Sequence, residues 1–203
     1  MTLTVEDLRG AIARLTAAME RDFDALNSAD GALGDGDLGV TMARGMRAIS
    51  DLAPGLSGDL GQALLACAQG FTKTSGSSYG TLMATGLMSM AKVLRGRTEV
   101  EAVEVSALVA GARDAMQARG KAELGGKTVL DSLDAMAQAT AGLTEPRAVA
   151  QTAADAAKAA QARMKDKIAT IGRARIFGEK TIGMDDPGMM AMTAIAAAIA
   201  GQD

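Results

Sequence analysis

Asp30-Gly-Ala-Leu-Gly-Asp35-Gly-Asp37-Leu38-Gly39 spaces three carboxylates among four glycines. Asp35 and Asp37 lie two residues apart, so an extended or turning backbone sends both side chains to one side. Asp30, five residues earlier, can close the cluster from the opposite flank. Three acidic oxygens without His or Cys suit Mg²⁺ or Ca²⁺ better than zinc. The glycines permit positive φ and leave room for a bulky anion against the backbone. A metal beside exposed backbone N–H groups is a way to hold polyphosphates. Taken alone, the decapeptide reads equally well as a polar turn whose Asp residues cap the next helix.

Three other stretches carry unusual residues. Thr74-Ser75-Gly76 runs into a helical pattern and offers N–H donors, hydroxyls and a positive helix end to a phosphate. Arg173, beside Gly172, can reach a phosphate bidentately. Asp186-Pro187-Gly188 reads as an N-cap followed by Pro at the first helical position. Each feature is common in ordinary loops. The G-x-x-x-x-G-K-[ST] pattern is absent, as is a strand before a glycine fingerprint, which argues against Walker-type and Rossmann nucleotide binding. Lys121 and Lys127 read as surface charges, and the Met-rich run Leu82–Met90 as core. The chain has no His. General acid–base or nucleophilic chemistry most often recruits that residue. Phosphoryl transfer tolerates its absence best, because catalysis there is mostly alignment and charge neutralisation.

The elements that must position these residues are helical. Val5, Leu8, Ile12, Leu15, Met19, Phe23 and Leu26 step by three and four along one stripe, with Thr4 and Asp7 placed as a capping box. Further helices are expected near 38–52, 58–72, 78–95, 99–119, 127–142, 146–170 and 187–201, with Thr144 capping the helix that begins at Pro146. No segment alternates as a strand would, so the expectation is all-α: a barrel or bundle of eight antiparallel helices, one domain over 1–203. In such an up-and-down arrangement alternate links share an end. The links before the second, fourth, sixth and eighth helices are the four decorated ones, so the polar residues should gather on one rim.

Composition narrows the function classes. Hydrophobic residues make up 48% of the 203 residues and aromatics 2%, which suits close packing of Ala- and Met-rich helices. The net charge of −3, without a basic run, speaks against nucleic acid. The single Cys67 reads as a small core residue and fits a reducing compartment. No stretch is long and apolar enough to span a bilayer, and the first residues lack the order of a signal peptide, so no membrane contact and a cytoplasmic location are expected.

Taken together, the loops resemble the nucleotide-binding L subunit of dihydroxyacetone kinase, which is also the C-terminal domain of the single-chain kinases. The matching stretches are Gly-Asp-Gly-Asp-Leu-Gly at 34–39, Thr-Ser-Gly-Ser-Ser-Tyr-Gly-Thr at 74–81 and Arg-Gly-Lys-Ala-Glu at 119–123. Gly-Lys-Thr-Val-Leu-Asp at 126–131, Gly-Arg-Ala-Arg-Ile-Phe-Gly-Glu at 172–179 and Asp-Pro-Gly at 186–188 also match, in family order. Leu38 stands where the family often carries His or a small polar residue, and Gly126 where it often carries Asp.

The resemblance implies a barrel of eight antiparallel helices with the nucleotide, ATP or ADP, at one rim. It implies that Asp30, Asp35 and Asp37 hold two Mg²⁺ ions and serve catalysis. Leu38, Gly39, Val40 and Thr41, with Thr74, Ser75 and Gly76, would contact the phosphates. Gly120, Val129, Arg173, Asp186, Pro187 and Gly188 would complete the nucleotide site. The family's covalent substrate-binding His belongs to a separate K subunit that holds dihydroxyacetone or a similar small ketose. The phosphoryl donor is either free ATP or a phosphocarrier (M-type) subunit acting on bound ADP. Two other readings share parts of this pattern: an ADP-binding regulatory protein docking on a transcription factor, and the nucleotide domain of a fatty-acid kinase.

Overall fold

One residue interrupts the N-terminal apolar stripe. Val5, Ile12, Met19 and Leu26 are all buried, as its period requires. Asp22, at φ −91° and ψ 6°, nevertheless divides the expected first helix into α1 (Val5–Arg21) and α2 (Phe23–Leu33). Hydrogen bonding runs on through the break: the Asp22 N–H donates to Ala18 O and the Leu26 N–H to Asp22 O. Asp suits helix ends better than interiors, because its short side chain competes for nearby backbone groups. Here it pairs with Arg21 at 2.9 Å. The two helices together form one stave.

The computed structural model describes residues 1–74 and 76–202. The remaining staves are α3 (Leu38–Leu52), α4 (Leu60–Thr74), α5 (Ser78–Val93), α6 (Val105–Gly120), α7 (Val129–Thr140), α8 (Pro146–Met164) and α9 (Pro187–Ala200). Each packs on the next, and α9 returns to α1 and α2, so among the described residues eight staves close into a ring. The fold is all-α in its architecture, as the periodicity predicts, with four local corrections. First, β1 (Thr2–Thr4) and β2 (Glu99–Glu101) form an antiparallel ladder with Leu3 opposite Val100. Three-residue strands are too short for alternation to register in sequence. Second, β2 takes up residues expected to open α6, which starts at Val105. Third, α8 stops at Met164 rather than near 170, and the chain beyond it forms part of a long excursion before α9. Fourth, Glu145 rather than Thr144 occupies the N-cap position of α8.

Small residues let the staves approach, and methionines fill the irregular spaces between them. Met19, Met42 and Met189 are wholly buried, as are Ala63, Ala157 and Ala191, and Cys67 lies in the same core. The Met-rich run of α5 is only partly core. Ala84 and Gly86 are buried, Leu82 and Met90 half-buried, and Met88 is 46% exposed. Only one face of α5 turns toward the ring interior, so an apolar run longer than a turn must leave some members outside. At the opposite end from the decorated links, the Arg9 guanidinium donates to Ala53 O and Leu56 O, both at 3.0 Å.

The approach of α3 to α2 sets the geometry of the acidic loop. Gly39 lies against α2, where an added Cβ would collide with the Phe23 carbonyl oxygen and stand 2.8 Å from Asn27 Oδ1. Both neighbours are held within helix α2, so relief requires the helices to part. Gly39→Ala is expected to destabilise the fold by about 1–3 kcal/mol, the usual cost of overpacking. Urea denaturation of both proteins measures it, and a change below about 0.5 kcal/mol, the range of neutral surface substitutions, would mean that the helices have slack here.

Candidate functional site

Because neighbouring staves run in opposite directions, α3, α5, α7 and α9 all begin at one end of the ring. Their N-cap positions are Asp37, Ser77, Thr128 and Asp186. Three of these cap their helices with side chains. Ser77 Oγ accepts from Gly80 N at 3.0 Å, Thr128 Oγ1 from Leu130 N at 3.2 Å and Asp186 Oδ1 from Met189 N at 2.8 Å. The four ends surround a cavity of about 560 Å³ lined from all four decorated links. A smaller recess of about 330 Å³ lies beside it, sharing Asp35, Asp37, Ser77 and Arg173 as walls. The cavity is of a size that takes small organic ligands. Four helix N-termini turned toward one space favour an anion within it.

The fourth cap is different. Asp37 occupies the N-cap position of α3, yet its side chain makes no cap hydrogen bond. Asn27, on α2, does that work instead: its Oδ1 accepts from Gly39 N at 2.7 Å and from Val40 N at 3.2 Å. The Asp37 carboxylate is thereby released to face Asp30 and Asp35. Ligand oxygens of the three lie within 4.8 Å of one another. The loop between them turns at Gly36, whose φ of +77° is left-handed backbone that glycine adopts without strain. Asp30 Oδ2 also accepts the Asp37 backbone N–H at 2.9 Å, which fastens the loop to the end of α2.

Crowding of like charge shows in the protonation equilibria. Desolvation, then the charges of Asp35 and Asp30, push the Asp37 carboxyl above its ordinary value. Asp35 is held below its own, first by a hydrogen bond from Arg173, with which it forms an ion pair. A cluster of oxygen donors that repel one another and gain from a neighbouring cation fits a hard divalent metal.

The predicted site residues distribute as follows. Asp30, Asp35, Asp37, Leu38, Gly120, Val129, Arg173, Asp186, Pro187 and Gly188 line the larger cavity. Val40, Thr41, Thr74 and Gly76 line the recess. Gly39 lines neither, being the point of close approach to α2, and Ser75 lies outside the described residues. Backbone contact to an anion through Gly39, Val40 and Thr41 is not what this geometry supports. Asn27 takes the first two amides, and the Thr41 N–H donates to Asp37 O at 2.8 Å.

Sequence reasoning missed several groups. Asn27 carries no local signal, since its partner lies 12 residues away on another helix. Tyr79 donates its hydroxyl to Gly188 O at 3.1 Å, joining the start of α5 to that of α9. Lys127, expected as a surface charge, is 1% exposed. Its ammonium is drawn inward by three backbone carbonyls, which satisfy its donors away from water.

Asp186 is both a helix cap and a cavity wall. Burial pushes its carboxyl up to about 7, against the opposing pull of the Met189 N–H and the Lys127 charge. The folded chain therefore holds a proton there over a range in which the unfolded chain has lost it. Stability from this group is greatest at low pH, falls as pH rises from the unfolded value of 3.8 to about 7, and is level above. Asp186→Asn keeps a capping oxygen and removes the ionisation. Its melting temperature is expected to gain steadily on the parent's from about pH 4 to 7 and to hold that gain above. Thermal melts of both proteins across that range decide it; a difference that does not change with pH would mean the carboxyl ionises as in the unfolded chain.

Comparison with known proteins agrees with this architecture. Residues 32–201 match the family model described as the DAK2 domain. The ADP-binding subunit DhaL of the PTS-dependent dihydroxyacetone kinase of Lactococcus lactis is 29% identical over 187 residues, 92% of this chain and 91% of that protein. DhaL of the PEP-dependent dihydroxyacetone kinase 1 of Listeria innocua is 30% identical over 176 residues, 84% of this chain and 82% of that protein. Human triokinase/FMN cyclase is 35% identical over 180 residues, but these are only 31% of its length. The crystal structure of the C. freundii dihydroxyacetone kinase in complex with AMP-PNP and Mg²⁺ superposes with a TM-score of 0.75 at 27% identity, covering 96% of this chain and 33% of that one. With the family model spanning all four decorated links and the ring of helices reproduced in a solved relative, the chain belongs to the DAK2 domain family.

Proposed function

We propose that this chain is the nucleotide-binding phosphotransferase subunit of a dihydroxyacetone-kinase-type enzyme. The observation that carries this reading is the carboxylate triad of Asp30, Asp35 and Asp37 lining a cavity ringed by four helix N-termini. The DhaL relatives are named ADP-binding subunits, and the C. freundii relative is described with AMP-PNP and Mg²⁺, which supports the same reading.

In this reading Asp30, Asp35 and Asp37 hold Mg²⁺, two ions in the form the family resemblance implies. Bound there, the metal supplies charge neutralisation along the phosphate chain. Thr41, Thr74 and Gly76, which line the recess, orient the phosphates, a role that the family resemblance extends to Ser75, and Arg173 adds a guanidinium that can turn from Asp35 to a phosphate oxygen. Gly120, Val129 and Asp186 to Gly188 hold the remainder of the nucleotide in the larger cavity. Leu38, Val129 and Leu130 form its buried apolar wall, against which the face of a base can pack.

With no His of its own, the chain leaves capture of the ketose carbonyl to a K-type subunit docking at this rim. The relatives from Lactococcus and Listeria are named PTS- and PEP-dependent, which favours a phosphocarrier that rephosphorylates bound ADP over exchange of free ATP. A sensor that binds ADP without transferring phosphate would bind equally well and turn nothing over.

Asp35→Asn and Asp37→Asn are each expected to abolish Mg²⁺-dependent ADP binding while leaving the helical circular dichroism intact. Isothermal titration with MgADP measures this, and unchanged affinity in both variants would reject the metal role. In the parent, MgADP at a hundredfold excess over Kd should add about 2.7 kcal/mol of stability, and ADP in EDTA much less.

The purified chain alone should phosphorylate no ketose, and activity should appear on addition of a K-type subunit and a phosphoryl donor. Robust turnover by this chain alone would overturn the two-subunit reading. Tight MgADP binding with no turnover in the reconstituted mixture would favour the sensor.

A further inference from the structure

Lys127 is wholly buried beneath the excursion that links α8 to α9. An ammonium has three donors, and here each meets a backbone carbonyl: Lys165 O at 2.8 Å, Lys167 O at 3.0 Å and Thr181 O at 2.6 Å. Two of these acceptors leave α8 and the third lies near the return to α9. The lysine therefore joins the outgoing and returning chain of one loop at its neck. Other bonds close the same neck. Gly183 N donates to Lys165 O at 2.9 Å, and Thr181 Oγ1 accepts from Ala169 N at 2.9 Å while donating to Gly178 O at 2.7 Å.

The anchor is itself fastened by hydrogen bonds. Lys127 directly precedes Thr128, the N-cap of α7, and Asp131 accepts from Thr128 N at 2.8 Å and Gly125 N at 2.5 Å. The loop has a second attachment to the ring. Ala169 and Ala174 pack with Leu33, at the end of α2, in a small apolar cluster that Phe177 and Met184 cover. Between Ala169 and Ala174 the loop carries Arg173 to its ion pair with Asp35.

We propose that Lys127 is a positioning residue for Arg173: by closing the neck of the 165–183 loop it sets where the guanidinium stands at the rim. A buried ammonium is costly unless fully bonded, and an apolar side chain here could fill the space but could not draw three separate carbonyls to one point. Without the ammonium, those carbonyls separate, the neck opens and Arg173 loses its fixed approach to the acidic loop.

The inference rests on the nucleotide reading only for its affinity arm, and the loop itself is read without nucleotide. Lys127→Met keeps the length of the side chain and removes the charge. Amide hydrogen exchange in the free protein should then quicken by about tenfold or more across 168–183, within the range of local opening, with the core helices unchanged. MgADP affinity should fall by about tenfold, and Arg173→Ala should lower it similarly without quickening exchange in the neck. The double variant should bind no more weakly than Arg173→Ala alone, because the lysine acts through that side chain. A residue that matters only for stability would give losses that multiply.

Thr181→Val provides a second opening of the neck that strands no charge, and it should quicken the same segment. Unchanged loop exchange in Lys127→Met overturns the proposal, as do multiplying losses in the double variant or whole-chain unfolding by both neck substitutions. If the parent does not bind MgADP at all, the nucleotide reading falls, while exchange across 168–183 still decides whether Lys127 holds the neck.

Discussion

A closed ring of alternating helices cannot choose its ends freely. Once α1 and α2 act as one stave and α9 returns to them, every second helix must begin at the same rim. That single constraint gathers four helix N-termini, with their inward-facing N–H dipoles, around one cavity. The same direction rule sends the plainer links and the short β1–β2 ladder to the other end. The decorated and the plainer links are thereby separated along the axis of the ring.

A rim with four positive helix ends would tolerate negative charge almost anywhere, yet its carboxylates have different tasks. Asp186 spends its oxygen on the α9 cap and is pushed toward neutrality by burial. Asp131 is used up in fastening the link before α7. Asp30, Asp35 and Asp37 remain close together, and one amide side chain, Asn27, keeps Asp37 from following the capping habit of its position. The cations are divided in the same manner. Arg173 stands at the surface beside the triad, whereas Lys127 is sunk among carbonyls where it can organise chain but meet no ligand. Arg173 and Lys127 thus differ in burial more than in charge.

The packing of the staves fixes the acidic loop in place. With few aromatics, the ring depends on Ala, Gly and Met at its seams. Small side chains bring backbones close, as at Gly39, and such contacts have little freedom to drift. Methionines absorb the irregular volumes that remain. A displacement at one seam therefore reaches the acidic loop directly, because α2 and α3 both end or begin in it.

Much of this architecture was legible in the amino-acid order. Stripes with a period near 3.6 marked the staves, the count of helices implied alternating ends, and the donor types at 30, 35 and 37 pointed to a hard cation. Those signals are local, complete within a turn or two of chain. What only the tertiary structure decided involves partners far apart in sequence. Asn27 meets Gly39 across 12 residues and Lys127 meets Thr181 across 54, so neither pairing has a period to read. The break at Asp22 and the two three-residue strands escaped for the opposite reason, being too short to form a pattern. The residue types available for the chemistry were therefore written in the sequence. Which carboxylate caps, which stays free and which lysine is buried followed from ring closure, because only closure brings the competing hydrogen-bond partners within reach of one another.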